Sequence, residues 1–353
     1  MANMKEIAKI AGVSLGTVSH VLNNSMPVRE PLRKRVMAAV DALDYQPSQL
    51  ARGLRRDKTK MIGMIIPDIT NPFFPAVVRG AEDVAFSNGY RLILCNTDND
   101  HAKETVHLNE LRTYLPSGLI VIPSKLSDLT AQVRSYQKSG TAVVCVDRLP
   151  KEWKGDSVTA DNEHGAYTAT NYLLSQGHRN LAMILGPRHL TNVQNRLAGF
   201  KRAIHENKIH IAPEYIQEAT FDQQGGYTKT MLLLRMIPRP TVIFAGNDLI
   251  AFGALMAFRE ARLQCPEEIS VIGFDNLDLA EMTSPPLSSV SQPGYQMGTT
   301  AARILIDRVQ GDDGPAKHVV LETMLKIRGS VASPMDELAY MAPARSKRRS
   351  RSV

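Results

Sequence analysis

The run Met4–Asn23, MKEIAKIAGVSLGTVSHVLN, decides how the rest of the chain is read. Ile7, Ala8, Ile10 and Ala11 recur at helical spacing and predict one apolar stripe. Gly12 follows, where a helix C-terminus favours a residue that tolerates positive φ. Val13 can tuck under the turn. Ser14 is a good N-cap for a second helix, because its hydroxyl can accept a free backbone N–H. In that helix Val18, Val21 and Leu22 fall three and four apart, leaving Leu15, Gly16, Ser19, His20 and Asn23 on or near the outer face. Two readings fit these twenty residues, and they alone leave both open. One is a helical hairpin in a core; the other is a helix-turn-helix whose second helix lies in a DNA major groove.

Outward from this run, Asn24–Arg29 is a polar loop containing Pro27, and Val36, Ala39, Val40 and Leu43 predict a third helix that closes a small core. Arg29, Arg33, Lys34 and Arg35 are placed to meet phosphates, contacts that fix position rather than sequence. Ser48–Arg55, SQLARGLR, reads on its own either as a basic linker or as one short helix.

Charge follows the same division. Residues 1–60 hold eleven Lys/Arg against five Asp/Glu, a net of +6; residues 341–353 carry five basic residues and no acid, +5; the total of +7 leaves −4 for residues 61–340. A basic end on a mildly acidic body suits a polyanion-binding module joined to a neutral sensor. The C-terminal run, residues 333–353, reads as a disordered, solubilising tail that can add salt-sensitive DNA affinity. Cys95, Cys145 and Cys265 are isolated, with no metal-ligand spacing and no disulfide framework, which reads as a reducing cytoplasm. No apolar run approaches a membrane span, and the N-terminal stretch has no signal-peptide core.

From Met61 the period changes. Strands are predicted at 61–67, 90–96, 118–122 and 141–146, alternating with helices at 73–88, 102–115 and 128–139. A second series has strands at 180–185, 241–245 and 269–274 with helices at 163–176, 194–206, 223–234 and 248–261, then a helix at 294–310 and closing strands at 318–328. Such alternation means parallel sheets covered on both faces, and two series suggest two lobes. Neither GxGxxG nor a P-loop occurs, and no cysteine pair stands at metal-ligand spacing. No catalytic residue, cofactor or metal is therefore assigned, and an enzyme is not expected.

Polar and aromatic residues gather just after the strand ends: Asn71, Phe73 and Phe74; Asp147 and Arg148; Arg196; Phe221; Asn247; Asp275; Gln292. Carboxylates and amides can exchange hydrogen bonds with vicinal hydroxyls, arginines offer fixed forks, and aromatics cover the apolar faces of a sugar ring. Phe73 and Phe74 equally suit a core.

IAKIAGVSLGTVSHVLNN, continued by VMAAVDALDY (Val36–Tyr45) and PSQLARGL (Pro47–Leu54), resembles the headpiece of the LacI/GalR family of transcriptional regulators, and the resemblance runs on to about Ser330. It implies a small all-α helix-turn-helix headpiece (1–46), a hinge helix and linker (47–60) and a two-lobed α/β sensor like periplasmic binding proteins (61–332). The N-lobe would be about 61–161 and 292–320, and the C-lobe about 162–291 and 321–332, with crossings near 161, 291 and 320. It implies DNA contacts at Ser14, Leu15, Gly16, Thr17, Ser19, His20, Asn23 and Arg29, and in the hinge at Ser48, Ala51 and Leu54, the last as a wedge between base steps. His20 stands where many relatives have Arg. The partners implied are a palindromic double-stranded operator, a second copy of the chain and a small effector. The ten strand-end residues resemble the site of periplasmic ribose receptors, except that Ile122 replaces an Asn. The expected function is repression of sugar-utilisation genes, with a pentose favoured; a purine corepressor or a partner protein is the alternative.

Overall fold

The computed structural model describes residues 3–23, 25–45, 59–124, 129–150 and 152–334. Two compact units divide the chain, the first reaching Lys60 and the second beginning at Met61.

In the first unit α1 is Met4–Ala11, α2 Leu15–Asn23 and α3 Glu30–Ala42. Asn3 opens α1 with a capping box: its side chain accepts from Lys5 and Glu6 N–H at 3.0 and 3.1 Å, and Glu6 Oε2 accepts from Asn3 N–H at 3.1 Å. Gly12 ends α1 at φ 61°, in the left-handed region, and Ser14 Oγ accepts from Thr17 N–H at 3.1 Å to start α2. Ile7, Ala11, Val18, Val36 and Ala39 form the buried centre, with Met4, Ala8, Val21 and Leu22 packed around it. Ile10 is 58% exposed, so the expected stripe is narrower than read. At 100° per residue Ile10 falls to one side of the arc that carries Met4, Ala8 and Ala11. Arg35, expected among the phosphate-facing residues, donates from Nη2 to the Gly12 carbonyl at 3.0 Å and braces the turn.

The second unit begins with β1 (Met61–Ile66), α4 (Phe73–Ser87), β2 (Arg91–Asn96), α5 (His101–Thr113), β3 (Gly118–Val121), α6 (Leu129–Lys138), β4 (Ala142–Val146) and β5 (Asp156–Ala160). Then come α7 (Asn162–Ser175), β6 (Leu181–Leu185), α8 (Thr191–Glu206), β7 (Ile216–Glu218), α9 (Gln223–Leu233), β8 (Val242–Ala245), α10 (Asp248–Glu260), β9 (Ser270–Asp275), the short α11 (Leu279–Met282) and β10 (Ser288–Ser291). The chain ends through α12 (Gly294–Val309), β11 (His318–Leu321) and β12 (Met324–Lys326). One sheet runs β11-β5-β4-β3-β1-β2 and the other β12-β10-β9-β8-β6-β7, so the two lobes repeat one topology. Every pairing is parallel except β10 with β12. Central strands such as AVVCV and LAMIL are buried along nearly their whole length, as parallel strands covered on both faces must be. The chain passes between lobes after β5, after β10 and after β11.

Three strands lie where none was expected: β5 (DSVTA), β7 (IQE) and β10 (SSVS). Their polar side chains hide the strand pattern, yet β5 and β10 are mostly buried because those side chains are satisfied. Asp156 accepts two bonds from Arg308, each 2.9 Å, and Ser289 donates to Asp248 at 2.6 Å. Helix α8 also starts three residues earlier than read, at Thr191.

Helix pairs on the lobes meet at glycines. A Cβ on Gly199 of α8 would overlap the Glu163 carbonyl oxygen of α7, and one on Gly253 of α10 would overlap that of Gln223 on α9. Beside each close approach a tyrosine ties the pair: Tyr167 donates to Glu206 at 2.6 Å and Tyr227 to Glu260 at 2.7 Å.

Candidate functional site

All ten residues line a single cleft between the lobes. Asn71, Phe73 and Phe74 arrive from the loop after β1 and the first turn of α4. Asp147 and Arg148 follow β4, Asn247 follows β8, and Asp275 closes β9. Gln292 lies on the crossing after β10, and Phe221 follows β7. Beyond carboxyl ends of parallel strands is where such folds bind ligands, because the crevice opens there. Asn192 also lines the cleft and was missed. It lies four residues before Arg196 on α8 and so shares its helical face, a signal present in the sequence. Ile122, where the ribose receptors have Asn, does not line the cleft; it is fully buried in the core, and its N–H donates to Ile65 O at 2.9 Å.

Asp147 and Asp275 occupy equivalent ends of equivalent strands, and both have positive φ, 62° and 112°. A non-glycine residue at 112° costs about 1–3 kcal/mol and needs its surroundings to hold it. They do. Asp248, fully buried, accepts from Leu277 N–H at 2.7 Å and from Ser289 Oγ at 2.6 Å. Ser289 Oγ accepts Asn276 N–H at 3.0 Å, and Arg328 donates to Asn276 Oδ1 at 2.8 Å. Burial, then the neighbouring Asp275 charge, pushes the Asp248 carboxyl up to about 8.

Within the cleft Asn192 Nδ2 donates to Asp147 Oδ2 at 3.0 Å, Gln292 Nε2 to Asp275 Oδ1 at 2.6 Å, and Arg196 Nε to Asn162 Oδ1 at 2.8 Å. Arg196 also lies 3.7 Å from Asp275 and stacks 3.8 Å above the Phe274 ring. Arg148 Nη1 donates to Asn99 Oδ1 at 3.0 Å, with its guanidinium 5.6 Å from the Phe74 centroid and 5.9 Å from that of Phe221. Burial lowers both arginines, Arg148 against the pull of Asp147 and Arg196 against that of Asp275. Burial raises Asp275 to about 7, opposed first by Arg196 and then by Gln292. Asp147 Oδ1, Arg148 Nε and Gln292 Oε1 are buried and make no hydrogen bond among the described residues. Two acceptors and a donor thus stand unused in one concave place.

On the helix-turn-helix unit, Leu15 is 44% exposed and Gly16 is open. Ser14 and Thr17 pair through their hydroxyls at 2.9 Å, and Asn23 Nδ2 donates back to Ser19 O at 2.8 Å. Arg29 stands exposed before α3. Ser48, Ala51 and Leu54 lie outside the described residues. His178 is buried, with Nδ1 2.9 Å from Thr241 Oγ1. Among the described residues no His, Cys, Asp or Glu group could hold a metal, and no helix is long and apolar enough to cross a membrane.

Residues 3–48 match the family model for bacterial regulatory proteins of the lacI family, and residues 170–331 match a periplasmic binding protein-like domain. The chain is 37% identical over 335 residues to the HTH-type transcriptional repressor PurR of Photobacterium profundum, covering 94% of this chain and 99% of the relative. It is 35% identical over 330 residues to the ribose operon repressor of Escherichia coli, covering 94% and 100%. Among solved structures, a LacI family regulator from Enterococcus faecium with bound ribose aligns at TM-score 0.71 and 34% identity over 77% of this chain and 99% of that one. The lac repressor dimer bound to operator shares the fold at TM-score 0.82 and 24% identity over 94% and 99%. With the headpiece, the two-lobed sensor and these full-length likenesses together, the chain belongs to the LacI family and is a DNA-binding transcriptional repressor.

Proposed function

We propose that this repressor binds a palindromic operator as a homodimer, and that a small sugar of pentose type in the interlobe cleft sets its operator affinity. The observation that carries the effector reading is the set of unused buried groups, Asp147 Oδ1, Arg148 Nε and Gln292 Oε1, in a cleft that also holds three phenylalanines. Vicinal hydroxyls both donate and accept, so they match two acceptors beside a donor. Binding favours the lobe arrangement that contacts the ligand from both sides, by no more than the difference in its affinity for the two states. The hinge, residues 47–60, carries that change to the headpieces, and Leu54 is the wedge that kinks the operator.

A purine corepressor is the second reading, supported by the relatives named PurR and by Phe221 beside Arg196 and Asp275. Against it, a flat base needs an open aromatic face, and Arg148 already lies over both Phe74 and Phe221. Calorimetric titration of the full chain with D-ribose, other pentoses, hexoses, guanine and hypoxanthine separates them. The operator titration is then repeated with and without each binder at fixed salt. Binding of a pentose together with a changed operator affinity is expected; binding of nucleobases alone would replace the sugar reading.

A further inference from the structure

Gly186 is buried at the end of β6. Its backbone does not ask for glycine: unlike Gly12 and Gly177, it is not at positive φ. What asks for glycine is a ring. A Cβ on Gly186 would overlap Cζ, Cε1 and Cε2 of Phe221, so the tip of that ring points at a bare backbone. The chain around Phe221 is pinned on both sides. Ala219 N–H donates to Leu185 O at 2.8 Å, and Asp222 caps α9 by accepting from Gly225 N–H at 2.6 Å. The end of β6 has no slack either. Gly246, after β8, donates to Ile184 O at 2.6 Å, and a Cβ on Gly246 would come within 2.9 Å of the same oxygen. Phe221 lines the cleft and Gly186 does not, so the glycine backs the ring; on the cleft side Arg148 lies 5.9 Å from the ring centroid.

We propose that Gly186 is a specificity-determining position: it is the seat into which Phe221 sinks, and it thereby sets how much room the cleft leaves for a ligand. Gly186 touches no ligand and acts through Phe221. A side chain at 186 drives the ring toward Arg148, because a close-packed interior has no void to absorb the shift. The cleft then narrows from that wall, and a bulkier ligand loses more than a compact one. This rests on the cleft being the effector site, so the seat is also tested without a ligand.

D-ribose and D-allose form the probe pair, since allopyranose is ribopyranose with one added hydroxymethyl group. Titration calorimetry of the full chain compares wild type, Gly186→Ala, Phe221→Leu and the double variant. Leucine keeps an apolar wall but lacks the ring atoms that reach the seat. Gly186→Ala is expected to weaken allose about tenfold more than ribose, the scale on which a pocket resolves one added carbon. In the Phe221→Leu background the same change should alter neither affinity. Where wild type binds ribose alone, ribose affinity is the readout: it should fall in Gly186→Ala and hold in the leucine background. Urea melts of the four proteins need no ligand, and Gly186→Ala should lower the midpoint only while Phe221 is present. Equal drops in both backgrounds overturn the seat. Coupled midpoints with unchanged affinities and an unchanged ribose-to-allose ratio overturn the control of specificity alone. If neither sugar binds wild type, the pentose reading fails, and hypoxanthine and guanine, which differ by one amino group, replace the pair; no binding by either pair overturns the specificity role together with the cleft reading, while the melts still decide the seat.

Discussion

Asn192 reaches from the second lobe across the cleft and donates its amide to Asp147 Oδ2 of the first lobe at 3.0 Å. One residue earlier on α8, Thr191 Oγ1 accepts the Leu149 N–H at 3.1 Å. Successive residues of one helical turn thus fasten the lobes together while Asp147 Oδ1 stays unused. Asn192→Ala removes one fastening and leaves Asp147 Oδ2 with Arg148 at 3.6 Å. The closed lobes should become less populated, and effector affinity should fall by about 1–2 kcal/mol, read by titration calorimetry. Affinity equal to wild type would remove the latch from the account.

Asp275 gives a proton linkage. Burial raises its carboxyl to about 7, so between about 4 and 7 the folded chain holds a proton that the unfolded chain has released. Its contribution to stability is present at low pH and is lost as pH rises through that window. Ligand hydroxyls that donate to Asp275 favour the ionised form, so binding should release a proton and tighten as pH rises from 6 to 8. Titrations in two buffers of different ionisation enthalpy measure this release, and Asp275→Asn should abolish it.

His178 works in the opposite sense. Burial holds its imidazole down to about 4, so the folded chain keeps it neutral while the unfolded chain protonates near 6.5. Stability should therefore fall by about 3 kcal/mol as pH drops from 6.5 to 4. Urea melts across this range should show the slope, reduced in His178→Asn. An unchanged slope would assign the acid loss to other groups.

Gly253→Ala should cost about 1–3 kcal/mol, because its Cβ has no room beside the Gln223 carbonyl of α9. Tyr227→Phe, which deletes only the exposed bond to Glu260, should cost less than about 1 kcal/mol. Chemical denaturation of the two variants compares close packing with the tie next to it.

Leu54→Ala tests the hinge from the DNA side. Loss of an apolar wedge should weaken operator binding far more than nonspecific binding, since only the operator complex gains from the kink. Titrations against both duplexes at one salt concentration read the difference; equal losses would refute the wedge.

Periodicity and turn chemistry were enough for much of this protein. The 3.6-residue stripes, Gly12 between Ala11 and Ser14, and the apolar strands from Met61 onward each depend on neighbours a few residues away. Most of the cleft residues were legible for a related reason: in a parallel sheet, residues just past strand ends converge on one edge, so chain position implies spatial position, whereas Arg196 comes in from α8. Tertiary structure decided whatever depends on a distant partner. Strands β5 and β10 exist because Arg308 and Asp248 satisfy their polar side chains from 152 and 41 residues away. Ile122, the departure from the ribose-receptor pattern, lies in the core, and Arg35, expected to face phosphates, binds the Gly12 carbonyl instead. Asp275 holds φ 112° only because Asp248, Ser289 and Arg328 close around the following turn. Local sequence sets backbone preference and the inward face of each element. Which buried polar atoms are satisfied, and which remain for a ligand, is settled only when separate segments meet in the fold.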